Sequence, residues 1–332
     1  MSKPRRLGAG GPATCAIGLG CMGMSGVYGP ADDAESVATI RAALDAGVAL
    51  LDTGDFYGMG HNEMLVGEAL RGRRREEAII SVKFGALRGP DNRWAGNDCR
   101  PAAVANFLGY TLRRLGTDHL DIYRPARVDP DVPIEETVGA IAELVQAGHV
   151  RRIGLSEVGA DTLRRAHAVH AICDVQIEYS LLSRGPEEEL LNACSELGVA
   201  VTAYGVLSRG LLGGHWSASA QAGPGDFRAH APRFTGENLE RNLQLVERLR
   251  AIAAESGRNV AQLAIAWVLA AGEDVIALVG TTKRARLTEA LGALEVTLDE
   301  ATLAALDEAL PPGAAAGSRY PTAGMAALDS ER

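Results

Sequence analysis

The sequence predicts an α/β fold of the (β/α)8 TIM barrel class, folded as one domain over residues 1–332. Two observations carry this. Short apolar runs alternate with amphipathic segments from end to end, and within each run the apolar residues are continuous, as parallel strands covered on both faces require. The runs number eight, each followed by a helical pattern, which is the count that closes a barrel. A chain of 332 residues has room for two domains, but barrels of this size fold as one, and neither a composition shift nor an internal repeat marks a boundary.

The elements follow in order. The first run, Ile17–Gly20, precedes a helix over Asp33–Ala46, where Asp32 and Asp33 are capping residues and Val37, Ile40 and Leu44 share a face. Ala49–Asp52 precedes Asn62–Leu70, Ile79–Lys83 precedes Pro101–Leu115, and Leu120–Tyr123, extendable to Ala126, precedes Ile134–Ala147. Arg152–Leu155 leads to Ala160–Val169 and Asp174–Ile177 to Glu187–Leu197. Val199–Ala203 leads to Leu239–Ser256, with Leu239, Leu243, Val246, Leu249 and Ile252 at helical spacing. Val275–Val279 leads to Ala285–Leu294. Two segments break the rhythm: Ser208–Gly236, rich in Gly, Ala, Pro and Ser, reads as a functional flap or a disordered piece, and a tail begins at Pro311.

The composition excludes several functions. Acidic and basic residues are interspersed around a net charge of −9, which argues against a nucleic-acid partner; the densest basic stretch, Arg71 to Arg75, reads as a solvated turn. No apolar stretch is long enough to span a membrane. The five cysteines are odd in number and have no CxxC spacing, so neither a disulfide framework nor a zinc site is expected. With no apolar segment after the basic start, a cytoplasmic location is expected. Gly18 to Gly23 matches GxGxxG, but a loop with Gly26, Gly29 and Pro30 follows where a dinucleotide fingerprint needs a helix. On a barrel these glycines instead let backbone approach a ligand at the mouth of the first strand.

Barrel active sites lie at the C-terminal ends of strands. The second run ends in Asp52 and Tyr57, and the third in Lys83. A free phenol, with a pKa of about 10, is a poor acid at neutral pH. A neighbouring cation lowers that value, so Lys83, oriented by Asp52, is expected to tune Tyr57 as a proton donor to a carbonyl oxygen. Singly, each residue has a structural explanation; their convergence at adjacent strand ends favours catalysis.

The chain resembles the aldo-keto reductase superfamily in several blocks: GLGCMGMS (Gly18–Ser25), DTGDFYG (Asp52–Gly58), SVKFG (Ser81–Gly85), IGLSEV (Ile153–Val158), VQIEYSLLSR (Val175–Arg184), AYGVLSRGLLGG (Ala203–Gly214), VGTTKRARL (Val279–Leu287) and GSRYP (Gly317–Pro321). The resemblance runs nearly end to end and is strongest to the bacterial and plant branch. It implies a catalytic tetrad of Asp52, Tyr57, Lys83 and a histidine, but the histidine position, after the fourth run, holds Ala126. Loss of one orienting hydrogen bond costs about 10²-fold in rate by analogy with other preorganised donors. The freed imidazole volume is expected to take a bulkier ketone or a water. Arg124 and Arg127 nearby are read as structural.

The resemblance also implies NADPH/NADP+ as cofactor. Tyr204 offers a ring for nicotinamide to stack on, and Ser156 and Gln176 match the family's carboxamide partners. Met22 and Gly23, Gly205, Leu207, Arg209 and Gly210, and Gly280, Thr281 and Thr282 are placed along the cofactor, the glycines for close backbone approach to pyrophosphate. Lys283 and Arg286 supply charge for a 2′-phosphate, and Glu289 matches the adenine-contacting acid. Tyr28, Trp94 and Ala126 are expected against a small carbonyl substrate, while the sequence leaves the oligomeric state open. Two other readings stand beside carbonyl reduction: an NADPH-binding sensor or accessory protein with little turnover, and an enone (C=C) reductase.

Overall fold

A computed structural model describes residues 3–217, 222–223 and 225–331. Eight parallel strands close into a barrel: β1 (Ile17–Gly20), β2 (Leu50–Gly54), β3 (Ile79–Phe84), β4 (Leu120–Pro125), β5 (Val150–Ser156), β6 (Ile172–Glu178), β7 (Ala200–Tyr204) and β8 (Val275–Gly280). They pair in sequence order, and β8 closes on β1 through Gly280 beside Gly20. The predicted runs and these strands coincide to within a few residues. The largest extensions are at β5 and β6, where the added residues include the polar Arg151, Ser156 and Glu178, which do not continue an apolar pattern.

The helices that wrap the barrel are α1 (Asp33–Asp45), α2 (His61–Leu70), α3 (Pro101–Leu115), α4 (Ile134–Gln146), α5 (Ala160–Val169), α6 (Leu190–Leu197), α7 (Gly236–Glu255), α8 (Val260–Ala270) and α9 (Arg284–Leu291), followed by α10 (Glu300–Ala309) and the short α11 (Thr322–Ala326). Asp32 caps α1, its side chain accepting from Glu35 N at 2.7 Å. Two differences from the sequence reading have physical causes. The helix expected from Glu187 starts at Leu190, because Pro186 sits in a preceding 3-10 turn. The helix expected over Ala285–Leu294 passes into a 3-10 turn at Gly292. The apolar stretch after α7 forms α8, apolar on nearly every side, buried between α7 and β8, and closed at its start by a capping box of Asn259 and Gln262.

Two hairpins were not legible. Arg5–Arg6 pairs with Ala13–Thr14 and carries Leu7 into the floor of the barrel, against Leu50, Ile79, Ile122, Cys173 and Ile276. Ala86–Arg88 pairs with Trp94–Asn97 above β3. The larger core lies between barrel and helices, as strands buried on both faces require. The segment expected as a flap, residues 208–236, lies partly outside the described residues. Its described parts form 3-10 turns at Ser208–Gly213, Phe227–His230 and Pro232–Phe234. It clasps the loop after β1, with Phe227 N donating to Val27 O at 2.9 Å and Tyr28 bridging Asp226.

Candidate active site

Parallel register brings the predicted acid and base groups together. Asp52 pairs with Ser81 across β2 and β3, and Gly54 pairs with Lys83. All three side chains at this level are buried: Asp52 is 3 % exposed, Lys83 4 % and Tyr57 8 %. The Asp52 carboxylate accepts from Lys83 Nζ, from Ser81 Oγ at 3.0 Å and from Gln176 Nε2 at 2.8 Å. Lys83 Nζ stands 5.2 Å from the centre of the Tyr57 ring. Tyr57 arrives from a 3-10 turn after β2 in which Gly58 takes a φ of 56°.

The electrostatics differ from the expected tuning. Burial pushes the Tyr57 phenol well above its ordinary value, and Asp52 adds to the shift, with Arg127 opposing it. Burial also holds Lys83 below the usual lysine range; Asp52 opposes this and Arg124 reinforces it. Burial thus outweighs the neighbouring cation of Lys83, whose charge is committed to Asp52. The phenol is a protonated group at every ordinary pH.

Below this level runs a chain of buried charge. Arg124, fully buried, donates to Ser81 Oγ at 2.9 Å and to Asp174 Oδ2 at 2.9 Å, and Asp174 also accepts from Thr202 Oγ1 at 2.6 Å. The structural reading of Arg124 thus holds. It props Ser81, which in turn bonds Asp52. Gly154 makes this possible, since a Cβ there would stand 2.5 Å from Asp174 Oδ1 and 3.2 Å from Arg124 Cζ.

The residues placed along the cofactor gather on the opposite side. Leu207, Gly210, Gly280, Thr281, Arg286 and Glu289 line one cleft of about 230 Å³. Gly20 and Gly280 face each other closely, a Cβ on Gly20 lying 3.5 Å from Gly280 Cα. Gly23, in the 3-10 turn Met22–Ser25, sits between Tyr28 and Thr282, whose side chains would stand 3.5 and 3.6 Å from a Cβ there. Lys283 and Arg286 are exposed at the start of α9, and Glu289 accepts from Arg286 at 2.8 Å and from Asn259 at 3.1 Å. Ser156 and Gln176 are buried and adjacent across β5 and β6.

Comparison with known proteins then decides the family. The Aldo/keto reductase family model matches residues 16–311. The chain belongs to this family. It is 43 % identical to a probable aldo-keto reductase 1 of Glycine max over 96 % of this chain and 92 % of that one. It is 38 % identical to the aldo-keto reductase yakc, NADP(+), of Schizosaccharomyces pombe over 97 % and 95 %. Among solved structures, the glycerol dehydrogenase of Gluconobacter oxydans superposes with a TM-score of 0.84 at 28 % identity, covering 92 % of this chain and 94 % of that one.

Against the family pattern, several expectations shift. Ala126 stands where the histidine would be, its N–H held by Phe84 O at 2.8 Å, but it is only 1 % exposed. The freed volume is therefore closed over, not an open pocket. Gln176 donates its amide to Asp52 and keeps only its oxygen for a ligand. The Arg209 side chain turns inward to Glu178 Oε2 at 2.8 Å and Arg319 O at 2.6 Å, so only its backbone faces the cofactor loop. Trp94 is 45 % exposed on its hairpin, with Arg88 stacked 5.5 Å from its ring, and so stands at the rim. Tyr28 is close enough to oppose ionisation of Tyr57, and burial pushes its own pKa up to about 12. Sequence reasoning missed the carboxylates Glu157 and Glu178 and the tail residue Arg319. Arg319 donates to Glu157 Oε2 at 2.9 Å and to Glu178 at 3.4 Å. Burial would raise the Glu157 pKa, but Arg319 outweighs it and draws the group down to about 2. Tyr204 O–H donates to Glu157 at 2.7 Å and meets the Tyr320 hydroxyl at 2.9 Å. The signal was an acid at the end of each strand, Glu157 directly after Ser156 of β5 and Glu178 as the last residue of β6.

Proposed function

We propose that the protein is an NADPH-dependent oxidoreductase that reduces an aldehyde or ketone to the alcohol, with Tyr57 as proton donor. The observation that carries this is the buried cluster of Asp52, Lys83 and Tyr57 at neighbouring strand ends.

NADPH, when bound, supplies the hydride that goes to the carbonyl carbon. Leu207, Gly210, Gly280 and Thr281 line a cleft that would hold part of it, and Gly210 takes a positive φ of 104° that frees its backbone for a pyrophosphate. Met22, Gly23, Gly205 and Thr282 are assigned to the cofactor by the family resemblance. Tyr204 offers a ring face, and Ser156 and the free oxygen of Gln176 offer partners for a carboxamide. Lys283 and Arg286 offer charge to a 2′-phosphate, which selects NADPH over NADH. Glu289 faces the adenine side.

Tyr57 O–H hydrogen-bonds the carbonyl oxygen and transfers its proton as negative charge develops there. Asp52 fixes Lys83, whose cation stabilises the phenolate left behind. Ser81 and Gln176 hold Asp52 in place, and water is kept away by burial. With Ala126 in the histidine position, no imidazole shares the work, and turnover is slower than with a full tetrad. The closed volume at Ala126 supplies no preformed room for a bulky ketone, so size preference depends on whether Tyr28 and the Trp94 hairpin yield.

The test is NADPH oxidation with a panel of aldehydes and ketones. Tyr57→Phe is expected to lower kcat by roughly 10²–10⁴-fold with NADPH binding retained. A second reading, an NADPH sensor with little turnover, is favoured by one observation: the missing imidazole coincides with a phenol of raised pKa. Tight NADPH binding without hydride transfer to any carbonyl selects it. Product analysis on an enone separates C=O from C=C reduction.

A further inference from the structure

Two arginines at the mouth of the barrel have no part in the scheme above. Arg127 follows Ala126 at the end of β4. Arg88 lies on the hairpin after β3. Both are half-buried. Among the described residues neither makes an ion pair within 4.0 Å. Arg127 bonds only neutral oxygens, Ala126 O at 2.6 Å and Tyr320 Oη at 3.5 Å. Arg88 donates to Asn92 O at 3.3 Å, and its Nε is buried with no partner. Their remaining surroundings are rings: Arg127 stands 5.9 Å from the Tyr320 ring, and Arg88 5.9 Å from the Phe56 ring and 5.5 Å from Trp94.

Of the nearby carboxylates, Glu157 supports the Arg127 charge through its field, but none pairs with either arginine among the described residues. Glu157, whose field reaches Arg127, already accepts from Arg319, Tyr204 and Ser330. Asp52 is held by Lys83, Ser81 and Gln176. Both guanidiniums stand around Tyr57: Arg88 lies 5.9 Å from the Phe56 ring, which packs edge-on against the Tyr57 ring at 4.8 Å, and the Arg127 charge opposes the upward shift of the Tyr57 phenol. A half-buried charge without a counter-charge is costly, and it persists where a ligand completes it. Guanidinium is the side chain suited to a planar carboxylate.

We propose that Arg127 and Arg88 form an anion subsite beside Tyr57, so that the preferred substrate is a carbonyl compound carrying a carboxylate. The proposal rests on the reductase reading above. In place of the missing imidazole, Arg127 fixes the substrate through its charged end, and the carbonyl is thereby presented to Tyr57.

The experiment compares 4-carboxybenzaldehyde with its methyl ester, methyl 4-formylbenzoate, which keeps the same carbonyl and ring and removes the charge. The acid is expected to show a kcat/KM at least roughly tenfold above the ester. Arg127→Met is expected to lower that ratio roughly tenfold, Arg88→Met less, and Arg127→Lys to restore part of it; thermal melts confirm that each variant is folded. Equal values for acid and ester, or a ratio unchanged in both methionine variants, overturn the anion subsite and leave carbonyl reduction standing. Reduction of neither compound is a failure of the reductase reading, and the subsite is then read by calorimetric titration of benzoate into the NADP+-loaded protein. Benzoate binding that Arg127→Met abolishes upholds the subsite. Absent binding, or binding equal in the variant, overturns it.

Discussion

The two sides of the barrel mouth use arginine in opposite ways. Over β5 to β7, Arg209 and Arg319 meet Glu157 and Glu178, and almost every oxygen of those acids is engaged. Over β3 and β4, Arg88 and Arg127 face rings and neutral oxygens. The first side is a finished lattice that ties the tail to the barrel: Arg319 also bonds Glu331, and Tyr320 reaches Tyr204. The second side is incomplete by itself. A paired arginine in this mouth holds the structure, and an unpaired one waits for a ligand.

Breaking each side separately tests that contrast. Arg319→Met leaves buried Glu157 without its paired cation, while Glu178 keeps Arg209, and is expected to cost about 3–5 kcal/mol in urea unfolding. Arg127→Met removes a charge that makes no ion pair among the described residues and is expected to change stability by less than about 1 kcal/mol. Equal losses would erase the distinction. Ala126→His forces a ring into a volume that is closed over, and a loss of about 1–3 kcal/mol in the same assay is expected from overpacking. An unchanged midpoint would mean that the space is open after all.

Two smaller effects sharpen the picture. Replacing Lys283 and Arg286 by Met is expected to raise the KM for NADPH roughly tenfold and to leave that for NADH nearly unchanged, with the difference shrinking in high salt because both cations are exposed. Asp55, beneath the mouth, has both carboxylate oxygens buried without a partner. Burial first, and Glu63 next, push its pKa up to about 7. A carboxyl raised in this way binds a proton more tightly folded than unfolded, so its contribution is full below the ordinary aspartate range and is lost as pH rises toward about 7. Thermal midpoints of Asp55→Asn are expected to show a flatter decline between about pH 4 and 7 than the parent protein.

The barrel was legible because burial on both faces writes each strand as an uninterrupted apolar run. What resisted reading was structure held by few buried side chains. α10 contributes Leu306 as its one buried residue and follows the last strand, where the alternation gives no cue. The hairpin carrying Trp94 has exposed and half-buried residues and a shift of register, so no period marks it. At the site, Asp52, Tyr57 and Lys83 were legible because all three stand at strand ends. Pairing was not: nothing in the string of residues shows that Arg319 reaches back across 162 positions to Glu157, or that Arg127 finds no acid. Sequence marks a charge, and only the fold shows whether it is answered.

The most direct test of the account is a stopped-flow single turnover. NADPH-loaded protein is mixed with 4-carboxybenzaldehyde, the nicotinamide absorbance is followed, and the alcohol is assayed. The account predicts loss of one equivalent of NADPH with one equivalent of alcohol formed, slowed by roughly 10²-fold or more in Tyr57→Phe. Bound NADPH whose absorbance persists across a panel of aldehydes and ketones, or equal rates in the parent and Tyr57→Phe proteins, would contradict it.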